Sequence, residues 1–422
     1  MKLFKKNRLT KAAVITATAA LAVTGFVGSN SSSPAKAATP IAKNVILFVG
    51  DGMGGAQRDA IRLATVGEKG NLAMDDMPYA GIMRTSSTVA VTDSAAAATA
   101  FASGVKTYNG AIGMDANKKS VKTIMEYAKE AGLSTGVVTT SQVTDATGAA
   151  FGSHVENRSA QSDIALQYLN QAKLDVILGG GEDFWYPAGT PGNAPDEPAE
   201  DPSEKSKGTQ GNLVDKAKEL GYTFVSNKAD FDKANGTKLL GLFANEEMFQ
   251  QREEGKGDVY NPTVSLPDMT QKALDTLGKN DKGFFLMVEE EGTDEMGHNN
   301  NAKLTIKAGQ ELDKSVQLAK NYAKDHPDTL VLVLADHETG GFAVEEADDK
   351  DETGDGISKE DGPFDIAGST GKFYVDWTTS GHTAVDVPVT ATGKNSVLFS
   401  GVYENTEIFH RLMRSMGLQE DK

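Results

Sequence analysis

The chain has 422 residues, with 59 acidic side chains against 42 basic ones, a net charge of −17 and no cysteine. So acidic a surface repels nucleic acid and anionic lipid, which excludes phosphate-backbone binding as the main role. Without thiols there is no disulfide scaffold, and any bound metal must be held by His, Asp, Glu or hydroxyl groups, a set suited to zinc and magnesium.

Lys2, Lys5, Lys6, Arg8 and Lys11 form a basic leader, Ala12 to Val27 a short apolar run, and Ala35-Lys36-Ala37 an A-x-A cleavage signal. Residues 1–37 therefore read as a secretory signal peptide, which predicts export: secretion, or retention in the periplasm or at the cell wall. Cleavage removes six basic groups and no acid, taking the net charge from −17 to −23. No later stretch reaches the roughly 20 apolar residues of a spanning helix, so no membrane span is expected after cleavage.

Residues 38–422 read as one catalytic domain. Strands are predicted at Asn44–Val49, Thr135–Thr140, Asp175–Leu178, Thr223–Val225, Leu239–Phe243, Phe284–Val288, Leu330–Leu334 and Ser396–Phe399. Helices are predicted at Val121–Ala131, Asp163–Gln171, Leu213–Leu220, Asp268–Leu277 and Leu304–Ala323, several ending at a glycine. This alternation predicts an α/β fold with a largely parallel central sheet flanked by helices on both faces. Two segments interrupt it. Pro187 to Lys207 reads as an exposed excursion, and the acidic insertion around 345–365 contains a partial calcium-loop pattern from Asp349 to Glu360, a candidate Ca2+ site with a poor fifth position in Thr353.

Chemistry-bearing residues gather just past the predicted strands, where an open α/β sheet collects its ligands. Asp51 lies in Gly50-Asp51-Gly52-Met53-Gly54, after the first strand, with glycines that leave room for ions near the carboxylate. Ala335-Asp336-His337 follows another strand, and an adjacent Asp and His can share one ion. The run Glu289-Glu290-Glu291-Gly292-Thr293-Asp294-Glu295 holds five acids that would repel one another unless cations neutralise some of them. Asp294 and His298, four apart, share a helical face, and His382 in Gly381-His382-Thr383 could complete their site. His154, His326 and His410 sit in ordinary surroundings. Ser94 precedes Ala95-Ala96-Ala97-Ala98, so it is either a helix N-cap or a hydroxyl facing an anion at the positive end of a helix dipole.

These stretches, in order with Thr92-Asp93-Ser94-Ala95-Ala96-Ala97-Ala98, Ser103 to Gly110, Asp145-Ala146-Thr147 and Arg158, run from Ile41 to about Gly393, and together the chain resembles the bacterial alkaline phosphatases. The resemblance implies a phosphomonoesterase acting on small phosphate monoesters through a phosphoserine at Ser94. It implies one zinc on Asp294, His298 and His382, and a second on Asp51, Asp336 and His337. A magnesium would be held by Asp51, Thr147, Glu289 and, directly or through water, Asp145. Arg158 would clamp the phosphate, and relatives of this kind are commonly homodimers. Glu295 departs from the pattern, since relatives often carry Lys, His or Trp there; this implies an altered metal preference or pH optimum. The absence of cysteine departs from disulfide-bearing relatives, which implies greater dependence on bound ions for stability. Two other readings are a phosphodiesterase or sulfatase on the same scaffold, and a non-catalytic exported protein that binds phosphate or metal.

Overall fold

The computed structural model describes residues 41–193, 205–346 and 360–421. The leader at 1–37 and the calcium-loop pattern at 349–360, apart from Glu360, lie outside the described residues.

In chain order the strands are β1 Asn44–Gly50, β2 Tyr79–Arg84, β3 Ser134–Gln142, β4 Val176–Gly180, β5 Thr223–Val225, β6 Leu239–Leu242, β7 Phe284–Glu290 and β8 Thr329–Leu334. They continue as β9 Glu338–Thr339, β10 Phe342–Glu346, β11 Asp361–Asp365, β12 Lys372–Trp377, β13 His382–Thr383, β14 Val387–Gly393 and β15 Gly401–Glu404. Ten of them form one sheet in the order β15-β2-β14-β8-β1-β7-β3-β4-β6-β5, in which β14 alone runs against its neighbours.

Strands β1, β7 and β8 are buried along their whole length, as parallel strands covered on both faces must be. The covering can be read from neighbouring residues of β3, which point to opposite faces. Gly136 faces Leu277 of the helix Leu266–Leu277, whereas Val137 faces Gly148 of the helix Ala146–Gly152. Helices thus lie on both sides of a largely parallel sheet, as the alternating pattern predicted.

Differences from the sequence reading have local causes. Ser396–Phe399 is a 3-10 turn, not a strand: Ser396 and Phe399 are buried, three apart, while Val397 is exposed. The helix Gly55–Val66 escaped prediction because its buried face includes Gln57 and Arg58, which donate to the Thr339 carbonyl and to Asp75 and Thr390. The helix predicted over 121–131 starts only at Ile124, where Thr123 and Glu126 form a reciprocal capping box. The acidic insertion has strands at both ends: β10, β12 and β11 make a small antiparallel sheet whose Phe342, Phe373, Val375 and Trp377 pack on Ala60, Ala302 and Ile306. Among the described residues, no helix is long and apolar enough to cross a membrane.

Candidate metal centre and nucleophile

Sheet register assembles the site. β1 lies between β7 and β8, with Val49 opposite Glu289 on one side and Leu334 on the other, and β7 sets Glu289 opposite Thr139 of β3. The segments leaving the carboxyl ends of these four adjacent strands carry Asp51, Glu291 to Asp294, Asp336-His337 and Asp145 to Thr147. Gly52 makes the turn after β1 at φ +63°, donating its N–H to Asp336 Oδ1 at 3.0 Å and accepting from Thr339 N–H at 3.1 Å.

One cluster joins Asp294, His298 and His382. His298 Nε2 lies 3.1 Å from Asp294 Oδ2, and His382 Nε2 3.7 Å from Asp294 Oδ1. Each ring is oriented from behind, since His298 Nδ1 meets the Ser380 carbonyl at 2.7 Å and His382 Nδ1 the Thr92 carbonyl at 2.9 Å. A carbonyl only accepts, so both Nδ1 atoms carry protons and both Nε2 atoms face the cluster.

A second cluster joins Asp51, Asp294 and His337, with His337 Nε2 3.5 Å from Asp51 Oδ1 and 3.1 Å from Asp336 Oδ2. A third joins Asp51, Glu289 and Glu291, where Thr147 Oγ1 donates to Asp51 Oδ2 at 3.1 Å and Thr139 Oγ1 to Glu289 Oε2 at 2.7 Å. Glu290 turns away between its neighbours, accepting from Thr140 at 2.8 Å and from Gly292 N–H at 3.0 Å, with Tyr260 beside it.

Ser94 is the first residue of the helix Ser94–Ser103 and is buried. The capping role falls to Asp93, whose carboxylate accepts from Ala96 N–H at 3.0 Å and Gly110 N–H at 2.8 Å. The Ser94 hydroxyl is thereby left for other work, and it lies 3.3 Å from His337 Nε2. Arg158 directs Nη2 at both oxygens of Asp145, at 3.0 and 2.8 Å, and holds Nη1 3.7 Å from Asp93. Asp145 therefore pairs with Arg158 and is not among the clustered oxygens around Asp51.

Burial raises Asp51 and Glu291 well above the carboxylate range, with Asp336 adding to the effect at Asp51 and Asp51 adding to it at Glu291. Glu289 is pushed up to about 7 by burial, against the Thr139 hydrogen bond. Glu295 is pushed up to about 8 by burial and by Asp294. Burial also acts upward on Asp294, but the His298 hydrogen bond and the nearby imidazoles hold it well below its usual value. Asp336 is lowered in the same way by His337. Burial pushes all three histidines down. Asp294 nevertheless lifts His298 to about 9 and Asp336 lifts His337, while His382, beside His337, stays lowered.

The donor set fits divalent cations. Asp51 Oδ1, Glu289 Oε1 and Glu291 Oε2 are buried and accept no hydrogen bond from any described residue. Buried carboxylate oxygens left so are costly unless a cation meets them. Of the acids and histidines singled out in the sequence, the structure brings Asp51, Glu289, Asp294, His298, Asp336, His337 and His382 together with Thr147 and Ser94. Those left aside also have partners: His154 meets Glu126 at 3.1 Å, His326 the Tyr322 carbonyl at 2.9 Å and His410 Glu420 at 2.7 Å. Sequence reasoning gave no role to Glu291, Thr139 or Thr339, which touches Asp294. Glu291 and Thr339 were visible only as neighbours within motifs.

A largely parallel α/β sheet with clustered carboxylates and imidazoles around a buried helix-mouth serine defines a metal-binding hydrolase. The family model described as Alkaline phosphatase matches residues 42–358 and 347–418. Alkaline phosphatase 4 of Bacillus subtilis (strain 168) is 36% identical over 361 residues, 82% of this chain and 72% of that protein. The solved alkaline phosphatase of the Antarctic bacterium TAB5 superposes with a TM-score of 0.73 at 32% identity, covering 90% of this chain and all of that one. A variant of the TAB5 enzyme, solved with Mg bound in its M3 site, superposes at 0.71 with 32% identity, over 90% and 100% of the two chains. The chain belongs to the alkaline phosphatase family. It is an enzyme, a metal-dependent hydrolase of phosphate monoesters.

Proposed function

We propose that the chain is an exported phosphomonoesterase that works through a phosphoserine at Ser94 with two zinc ions and one magnesium. Asp294, His298 and His382 hold one zinc, and Asp51, Asp336 and His337 the other. Asp51, Thr147 and Glu289 would hold the magnesium, with Asp145 contributing directly or through water. Bound there, these cations supply Lewis-acid stabilisation of the attacking and leaving oxygens and make the serine alkoxide accessible. The chain's own groups do the rest. Ser94 Oγ attacks phosphorus, the ester P–O bond breaks and the alcohol departs. Water then attacks the phosphoserine, releasing inorganic phosphate and restoring the hydroxyl.

The observation that carries this reading is the Ser94 hydroxyl, freed from capping by Asp93 and set 3.3 Å from His337, a member of the ligand clusters. Arg158 supports a monoester over a diester, because with one terminal oxygen facing the metals a monoester still offers two to the planar fork and a diester only one. Magnesium in the M3 site of the TAB5 variant supports the third metal. Export rests on the basic leader, the apolar run and Ala35-Lys36-Ala37, and catalysis by residues 38–422 as one domain on the continuous motif order. Comparing turnover of p-nitrophenyl phosphate with that of bis-p-nitrophenyl phosphate tests the reading. Monoester hydrolysis should dominate and should require zinc; faster diester turnover would overturn it.

A further inference from the structure

The three consecutive acids at the end of β7 separate into different roles. Glu290 is satisfied by Thr140, Gly292 N–H and Tyr260, so it needs no cation. Glu291 has no such arrangement. Its backbone is pinned by Thr140 Oγ1, 3.0 Å from Glu291 N, and its side chain is buried with Oε2 accepting no hydrogen bond from any described residue. One oxygen of Glu291 lies within 4.8 Å of oxygens on Asp51 and Glu289, and Glu291 also gathers with Asp294 and Glu295. Glu289 Oε1 accepts no hydrogen bond from any described residue, and Asp51 Oδ1 faces His337 Nε2 at 3.5 Å. Arg158 gives its hydrogen bonds to Asp145. Three buried carboxylates gathered this closely, with Glu291 Oε2 and Glu289 Oε1 accepting no hydrogen bond from any described residue, are organised for a hard divalent cation.

We infer that Glu291 is a direct ligand of the third metal, so that this site is held by three carboxylates, Asp51, Glu289 and Glu291, with the Thr147 hydroxyl. The inference rests on the metal reading of the site proposed above. It adds one negative charge to the ligand set at a position where a neutral residue would leave water on the ion. Its consequence is tighter magnesium binding at this site than Asp51, Glu289 and Thr147 alone would give.

The test uses the full mature chain, stripped with chelator, reloaded with zinc to two equivalents by elemental analysis, and titrated calorimetrically with MgCl2. Glu291→Gln keeps the shape and removes the charge, and should weaken magnesium binding at least about tenfold while zinc content stays at two. Glu291→Asp keeps the carboxylate and should fall between the two. A second readout separates a ligand from a packing group. The metal-free Glu291→Gln chain should melt no lower than the metal-free parent, because a bare buried acid is gone, yet lose most of the magnesium-induced rise in Tm. Equal magnesium affinity in parent and Glu291→Gln overturns the inference, as does a parent that takes two zinc ions and no magnesium. A parent that binds neither metal overturns the underlying reading of the site along with it.

Discussion

His298 and His382 face each other with their Nε2 atoms 3.1 Å apart, while the Nδ1–H of each is spent on a backbone carbonyl. Without metal, Asp294 at 3.1 Å lifts His298 to about 9, so a proton on its Nε2 meets the carboxylate while His382 keeps a bare Nε2 beside it. A zinc ion would take that proton's place and satisfy both rings. Chelation should therefore lower Tm, and zinc should restore it. At a free ion concentration 100 times Kd the stabilisation amounts to about 2.7 kcal/mol per site. Differential scanning calorimetry across a zinc series checks this, and a Tm indifferent to chelator would refute it.

Ser94→Ala should cut monoester turnover by at least about 10³-fold. Zinc content and Tm should stay near those of the parent, since the helix is capped by Asp93 and not by Ser94. Steady-state kinetics with elemental analysis of the same sample decides the matter; retained turnover removes Ser94 from the chemistry.

Arg158 is held between Asp145 and Asp93, which positions its guanidinium in one place. Arg158→Lys leaves a charge but no fork, and should lower kcat/KM about 10- to 100-fold, matching the loss of one or two charge-assisted hydrogen bonds. Inhibition by inorganic phosphate should weaken in parallel. An unchanged phosphate inhibition constant would show that Arg158 does not touch the substrate.

Gly52→Ala places a methyl group against Thr339 Oγ1 and the Asp294 carboxylate, at a left-handed φ of +63°. It should cost roughly 1–3 kcal/mol of stability and also lower zinc content, because Asp294 belongs to three ligand clusters. Melting curves and metal analysis read the two effects separately.

His154 offers a pH test away from the metal centre. Burial lowers its pKa, but the Glu126 hydrogen bond and charge outweigh this and hold it above 6.5. Burial raises Glu126, but the His154 contact holds it below 4.5. The histidine's contribution is complete below pH 6.5 and is lost as pH rises through its folded value. That of the glutamate is present above pH 4.5 and is lost as pH falls through its folded value. Their joint contribution is therefore greatest between 4.5 and 6.5. Because His154 Nδ1 is tied to the Gly113 carbonyl, the neutral ring turns a bare Nε2 toward Glu126. Glu126→Gln should destabilise by about 1 kcal/mol at pH 6 and by nothing at pH 9, where the amide can donate to that nitrogen. Urea melts at the two pH values check the sign.

The strands that carry the site were legible because β1, β7 and β8 are unbroken apolar runs, and the positions just past them follow from sheet geometry. The helix Gly55–Val66 was not, because a buried Gln57 and Arg58 disguise its inner face. Nor was the turn at Ser396–Phe399, where Val397, Leu398 and Phe399 after a serine carry too little periodicity to separate strand from helix.

The acids and histidines were identifiable from residue type and spacing, and the order of motifs identified the family. Their partners came only from the fold. Glu289, Glu290 and Glu291 are equivalent in the sequence, yet strand alternation and the neighbours Thr140 and Tyr260 send the middle one away and leave the outer two beside Asp51. Asp93 and Ser94 compete for one cap in the sequence, and backbone geometry awards it to Asp93. Sequence determines which groups can bear charge and where strands end. Only the register of β3, β7, β1 and β8 decides which of those charges meet, because electrostatic neighbours hundreds of residues apart are chosen by packing.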